Sequence, residues 1–210
     1  MLICLAVGSY GPGSLARARK VFQDAGGTLR MGQALRRGIS RWRLYRMLDE
    51  GVVERLSRGV YRLVDLPAPG DPDLVTVAMR VPRGVVCLVS ALAFHDMTTE
   101  VPHEVYLAIR RGGKAPRIEH PPVRVFRFSN GAFNSGIETH ELDGVPVRIY
   151  SPEKSVADCF KYRNKLGLDV ALEALRSWRE GKGGSVEELL GQARACRVET
   201  VMRPYLEAVL

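Results

Sequence analysis

The stretch Ser40-Arg41-Trp42-Arg43-Leu44-Tyr45-Arg46-Met47-Leu48 concentrates side chains suited to recognising a polyanion. A guanidinium can grip guanine O6 and N7 through two hydrogen bonds, and aromatic rings add flat apolar surface. At 100° per residue, Leu44, Met47 and Leu48 share one face of a helix, Trp42, Tyr45 and Arg46 point away from it, and Arg41 and Arg43 lie at the flanks. A helix anchored by an apolar face, with cations on its exposed N-terminal turns, has what major-groove readout needs. Further on, Ser57 and Arg58 occupy a Gly-containing connection, Leu56-Ser57-Arg58-Gly59-Val60-Tyr61, from which they could reach a phosphate or a minor groove. The expected DNA-binding set is therefore Ser40, Arg41, Trp42, Arg43, Tyr45, Arg46, Ser57 and Arg58. Arg41, Trp42, Tyr45 and Arg46 would read bases, and Arg43, Ser57 and Arg58 would hold phosphates.

The elements needed to position these residues are legible around them. Residues 15–25 read as a helix stopped by Gly26 and Gly27, and Thr28 as a cap for a second helix over 30–36. Ser40 is a good N-cap for a third helix over 41–50, which Gly51 ends. Two β-rich runs, 52–56 and 60–64, then form a hairpin. The order helix, helix, turn, helix, hairpin is the plan of a winged helix-turn-helix. Charge follows the same boundary. Residues 15–65 hold twelve Lys/Arg against five acids, a net +7 of the chain's +8. An excess so concentrated suits a nucleic-acid footprint better than a charge spread for solubility.

The sequence beyond is of mixed type. Residues 66–73, rich in Pro and Gly, read as a linker, and 74–210 as a second domain. Helices are expected over 74–80 and 85–95, and strands over 105–110, 123–129, 137–142 and 145–150. Asp143-Gly144 suits a two-residue hairpin turn, and Pro146 argues for an edge strand. Ser151-Pro152 starts a helix to about 163. The stripe Leu168, Ala171, Leu172, Leu175, the capping box Ser185/Glu188 and the spacing of Val198 to Val209 give three more. The fold class is α+β: an N-terminal winged helix-turn-helix followed by a mixed α/β domain with a small sheet of about four strands and C-terminal helices. Residues 1–14 read as a flexible leader. Its seven-residue apolar opening is too short to span a bilayer and lacks the basic start of a signal peptide.

Other chemistry is thinly represented. Cys4, Cys87, Cys159 and Cys196 form no close ligand pair and read as reduced structural thiols of a reducing compartment. His95, His103, His120 and His140 are scattered without metal-binding spacing, so no metal or cofactor is expected. Ser90 and His95, five apart, do not share a helical face and make a poor nucleophile–base pair. Lys154, Asp158, Lys161 and Arg163 leave the apolar face of Val156, Cys159 and Phe160 and could form a functional surface.

The run Gly38-Ile39-Ser40 … Leu44 … Leu48 … Gly51 … Leu56-Ser57-Arg58-Gly59-Val60-Tyr61 resembles the N-terminal domain of AbiEi-type antitoxins of type IV toxin–antitoxin systems. The blocks 85–95, 102–106 and 151–160, with Arg163-Asn164-Lys165, resemble recurrent blocks of that family's larger members, so the likeness extends over about 15–208. The resemblance implies a bacterial transcriptional repressor that binds repeats in its own promoter; the protein is further expected to be cytoplasmic, a monomer or weak dimer, with no membrane partner. It implies a nucleotidyltransferase-like toxin as functional partner without a stable complex, and antitoxin activity in the C-terminal domain, where Lys154, Asp158, Lys161 and Arg163 are the expected surface. The alternative is an enzymatic C-terminal domain, transferring phosphoryl groups to the toxin under regulation by the winged helix. A third reading is a plain protein-interaction module.

Overall fold

A computed structural model describes residues 13–66, 70–181 and 184–210. The expected leader, apart from its last two positions, lies outside the described residues, as do Cys4 and part of the expected linker. The chain divides into two compact units. One ends at Pro72 and takes in Leu142–Val145; the other is Asp73–Glu141 with Pro146–Leu210.

The first unit runs α1 (Gly13–Gln23), β1 (Thr28–Arg30), α2 (Met31–Arg36), α3 (Arg41–Asp49), β2 (Val53–Ser57) and β3 (Val60–Leu63). Its strands form an antiparallel sheet in the order β1-β3-β2. Thr28 is not a helix cap. It opens β1, which pairs with β3 through Thr28↔Arg62, Leu29↔Tyr61 and Arg30↔Val60, and α2 starts only at Met31. Two forces override the local capping preference. β3 would otherwise leave one edge unpaired, and pairing there carries Leu29 into the core with Phe22, Leu44 and Tyr61. The Thr28 hydroxyl is buried without a hydrogen-bond partner, as a cap would not be.

The second unit contains a five-stranded mixed sheet, ordered β6 (Val123–Phe128), β5 (Val105–Arg110), β4 (Val85–Val86), β8 (Val145–Tyr150), β7 (Ile137–Leu142). β4 runs antiparallel to β5 and parallel to β8, and β5 runs parallel to β6. The additional strand, β4, comes from the segment expected to be helical throughout. Only Leu88–Phe94 (α5) is helix, preceded by Cys87 in extended conformation. A short, uninterrupted apolar run gives no period by which strand and helix can be separated. The edge-strand expectation for Pro146 also fails, because β8 lies between β4 and β7. β4 reaches only Ile149 through Val86, so Pro146 lies beyond the part of β8 that this neighbour pairs.

Six further helices complete the unit: α4 (Pro72–Arg80, beginning at the unit boundary), α6 (Asn130–Asn134), α7 (Pro152–Leu166), α8 (Leu168–Glu180), α9 (Val186–Cys196) and α10 (Glu199–Val209). The short α6 has no counterpart in the sequence reading. α7 is the central helix, packed against α5, α8 and α9. Every residue from Glu153 to Phe160 is buried, and Trp178 of α8 donates its indole N–H to Glu153 Oε1 at 3.1 Å. The fold is α+β in both units.

Candidate nucleic-acid interface

α3 is held by its two ends and one face. The Ser40 hydroxyl accepts a hydrogen bond from the Arg43 backbone N–H at 3.2 Å, which satisfies one of the donors left open at the helix start. Leu44 and Met47 are fully buried, and Leu48 packs beside them. The opposite face carries Trp42, 55% exposed, and Tyr45, 47% exposed. Exposed apolar surface that is contiguous, rather than scattered singly, marks interaction sites. Arg41 and Arg46 are exposed with them and Arg43 is half-buried. The Arg46 guanidinium lies over the Trp42 ring at 5.4 Å and donates through Nε to Glu50 Oε1 at 2.6 Å. α3 thus presents two aromatic rings and two guanidinium groups from about two and a half turns.

The wing is a tight hairpin. Arg58 and Gly59 form its turn, with Gly59 at φ 79°, a left-handed conformation that glycine accepts without steric cost. The Gly59 carbonyl accepts from the Met31 backbone N–H at 2.9 Å, so the wing turn satisfies a donor in the first turn of α2. Arg58 is exposed at the turn, and Arg55 is exposed on β2. Ser57 departs from expectation. It belongs to β2, opposite Val60, and its hydroxyl oxygen is shielded from solvent. A phosphate contact through that oxygen is therefore closed in this conformation, and Arg55 is the accessible cation the sequence reading left out of the site. A β-irregularity between Arg55 and Ser57 turns the strand at this point, and no residue pattern announces it. Arg62, counted in the basic excess, is 2% exposed and donates to Glu54 at 3.1 Å, so its charge is withdrawn from the surface.

The expected surface on α7 is corrected more severely. Lys154 and Asp158 are fully buried and form an ion pair with each other. Asp158 Oδ1 also accepts from the Cys196 thiol at 3.2 Å, and the Lys154 ammonium lies 4.2 Å from the Tyr150 ring centre. Arg163 is half-buried and donates to the Phe160 carbonyl at 2.9 Å, which leaves Lys161 as the exposed member of the four. Charged residues on a helical wheel read as a solvated flank only when the helix is covered on one side; α7 is covered by three helices. Burial pushes the Asp158 carboxyl above the ordinary carboxylate range, and the Lys154 charge opposes that rise.

The scattered histidines converge in part. His95 and His140 lie 5.9 Å apart, with the Phe94 ring against both, and His95 Nε2 is 2.8 Å from the Tyr150 carbonyl. Ser90 is occupied: its hydroxyl accepts from the Tyr106 N–H at 2.9 Å and reaches the Glu104 carbonyl at 3.4 Å.

Residues 16–64 match the family described as transcriptional regulator, AbiEi antitoxin. Over that segment the first unit is similar to this family of regulators. The matched segment contains the whole of β1, α2, α3 and the wing, so the match coincides with the basic quarter of the chain. Among solved structures, the crystal structure of the RV2827C protein from Mycobacterium tuberculosis shares the fold, with a TM-score of 0.53 and 12% sequence identity over 92% of this chain and 81% of that one. No curated protein matches the chain. Among the described residues, no helix is long and apolar enough to cross a membrane.

Proposed function

We propose that this protein is a sequence-specific repressor that binds duplex DNA in its own promoter and acts as the antitoxin of a type IV toxin–antitoxin pair. The observation that carries the reading is the exposed Trp42/Tyr45/Arg46 face of α3, set within a segment similar to AbiEi-type regulators. An α-helix of about 10–12 Å diameter fits a major groove about 12 Å wide. With α3 lying there, Arg41, Trp42, Tyr45 and Arg46 meet base edges, while Arg43, Arg58 and Arg55 meet phosphates. Ser40 acts by holding the helix start. The functional partner is a nucleotidyltransferase-like toxin, neutralised without a stable complex, and the protein works in the cytoplasm as a regulator rather than an enzyme.

The test is an electrophoretic shift with the protein's own promoter fragment and a scrambled one, at two salt concentrations. Promoter-selective binding should persist at the higher salt, with log K falling by about 0.9 per neutralised phosphate for each decade of salt. Arg46→Ala should weaken the preferred site by about 1–3 kcal/mol and relax its specificity. Equal losses on promoter and scrambled DNA would refute base reading by Arg46.

A further inference from the structure

We propose that the second unit holds a binding site for a nucleoside phosphate, separate from the DNA interface of the first. The site is a cleft of about 280 Å³ lined by Arg111, Arg127, Lys161 and Arg197, with Phe128 and Tyr162 also in its lining. The four cations come from four places in the chain: the residue after β5, the penultimate position of β6, an exposed position of α7 and the C-cap of α9. All four are exposed, and among the described residues none of them is ion-paired with a carboxylate. The one acid in the lining, Asp158, is already engaged by Lys154 and by the Cys196 thiol. Cations gathered in a concavity without counter-charge repel one another, and a multiply charged anion relieves that repulsion.

Arg197 supports a ligand role. It adopts a left-handed backbone, φ 59° and ψ 45°, at the end of α9. Glycine or asparagine ordinarily fills that position, so an arginine there is maintained against local strain. The aromatic wall selects among anions. Phe128 is buried between the Tyr150 and Tyr162 rings, so the half-buried Tyr162, backed by Phe128 at 5.5 Å, is the ring that offers apolar surface beside the charge. The Tyr162 hydroxyl donates to the Arg127 carbonyl at 3.5 Å, which ties this ring to the strand that carries Arg127. Phosphates on the cations and a base ring against Tyr162 describe a nucleotide. The larger cavity of about 710 Å³ near β4 and β5 is a poorer candidate. There Arg110 donates to Asn134 and Arg148 to the Arg83 carbonyl, and both lie over the Phe133 ring.

The experiment is isothermal titration calorimetry of the full chain with ATP, with CTP and with inorganic tripolyphosphate. A nucleoside triphosphate should bind more tightly than tripolyphosphate. Arg127→Glu and Arg197→Gly should each raise its Kd on the order of tenfold or more. Arg197→Gly relieves the left-handed strain, so its melting temperature should be retained while binding is lost. Arg41→Ala, in the first unit, should leave nucleotide binding unchanged while weakening DNA binding, so the two sites fail independently. The proposal is overturned by no heat from any probe at about 1 mM. It is equally overturned by unaltered Kd values in both cleft variants, or by tripolyphosphate binding as tightly as the nucleotides.

Discussion

Arg46 engages two neighbours in the free protein, the Trp42 ring on one side and the Glu50 carboxylate on the other. For Arg46 to read guanine, Glu50 must share or release the guanidinium, and its own charge faces the phosphate backbone unfavourably. Glu50→Ala should therefore tighten promoter binding. The released ion pair is exposed and worth at most about 1 kcal/mol, so the gain in a filter-binding or anisotropy titration is a few-fold. A loss of affinity would show instead that Glu50 orients Arg46 for recognition. Lys154 is the opposite case, a charge with no access to solvent. Lys154→Met leaves Asp158 buried without its cation, and chemical denaturation should register a loss of about 3–5 kcal/mol. The double variant Lys154→Met/Asp158→Leu should recover most of it, because an apolar pair of similar volume needs no compensation.

At the scale of elements, Thr28 separates two accounts of the same short sequence. As a helix cap, its hydroxyl would be needed. As the first residue of β1, it is a β-branched side chain with a buried, unpartnered oxygen. Thr28→Val should raise the stability of the first unit by about 1 kcal/mol in urea denaturation, since it deletes an unsatisfied polar atom and keeps the strand-favouring shape. A comparable loss would restore the cap reading. The elements that sequence reveals are those with a strong local signal: Ser40 and Ser185 as caps, Asp143-Gly144 as a turn with both residues at positive φ, and the apolar stripe of α3. Those it hides are decided by distant partners. β1 exists because β3 has a free edge, the two-residue β4 is a strand because β5 and β8 pair with it on either side, and α7 is surrounded by helices that its own 3.6-residue pattern does not reveal. The same division applies to the candidate site. The face of α3 is local and legible, whereas the shielding of the Ser57 hydroxyl and the four-armed cleft around Arg197 require chain segments far apart in sequence.

For the molecule as a whole, the second unit should respond asymmetrically to pH. Burial raises the Cys196 thiol to about 12 and the Tyr162 hydroxyl to about 12, from ordinary values of 9.0 and 10.0. A group whose proton is held more tightly in the folded state contributes stability that is complete below its unfolded pKa and is lost as pH rises through the folded value. Stability should therefore be flat on this account up to about pH 9 and decline between pH 9 and 12. Thermal melts across that range, with Cys196→Ala as the flatter control, check the assignment. In the same samples Cys87, Cys159 and Cys196, all buried, should resist alkylation until the unit unfolds.

The hydrogen bond from Met31 N–H to the Gly59 carbonyl ties the wing turn to the start of α2, and β1 ties the same wing to the segment that leads into that helix. The hairpin and the helix-turn-helix are thereby cross-braced before any duplex arrives. In the proposed DNA-binding role, a domain braced in this way surrenders little chain entropy on docking, because the shape it needs is already populated. Whatever bending or widening the docked complex requires then falls to the duplex, so the ease with which a sequence deforms adds to the selection made by base contacts.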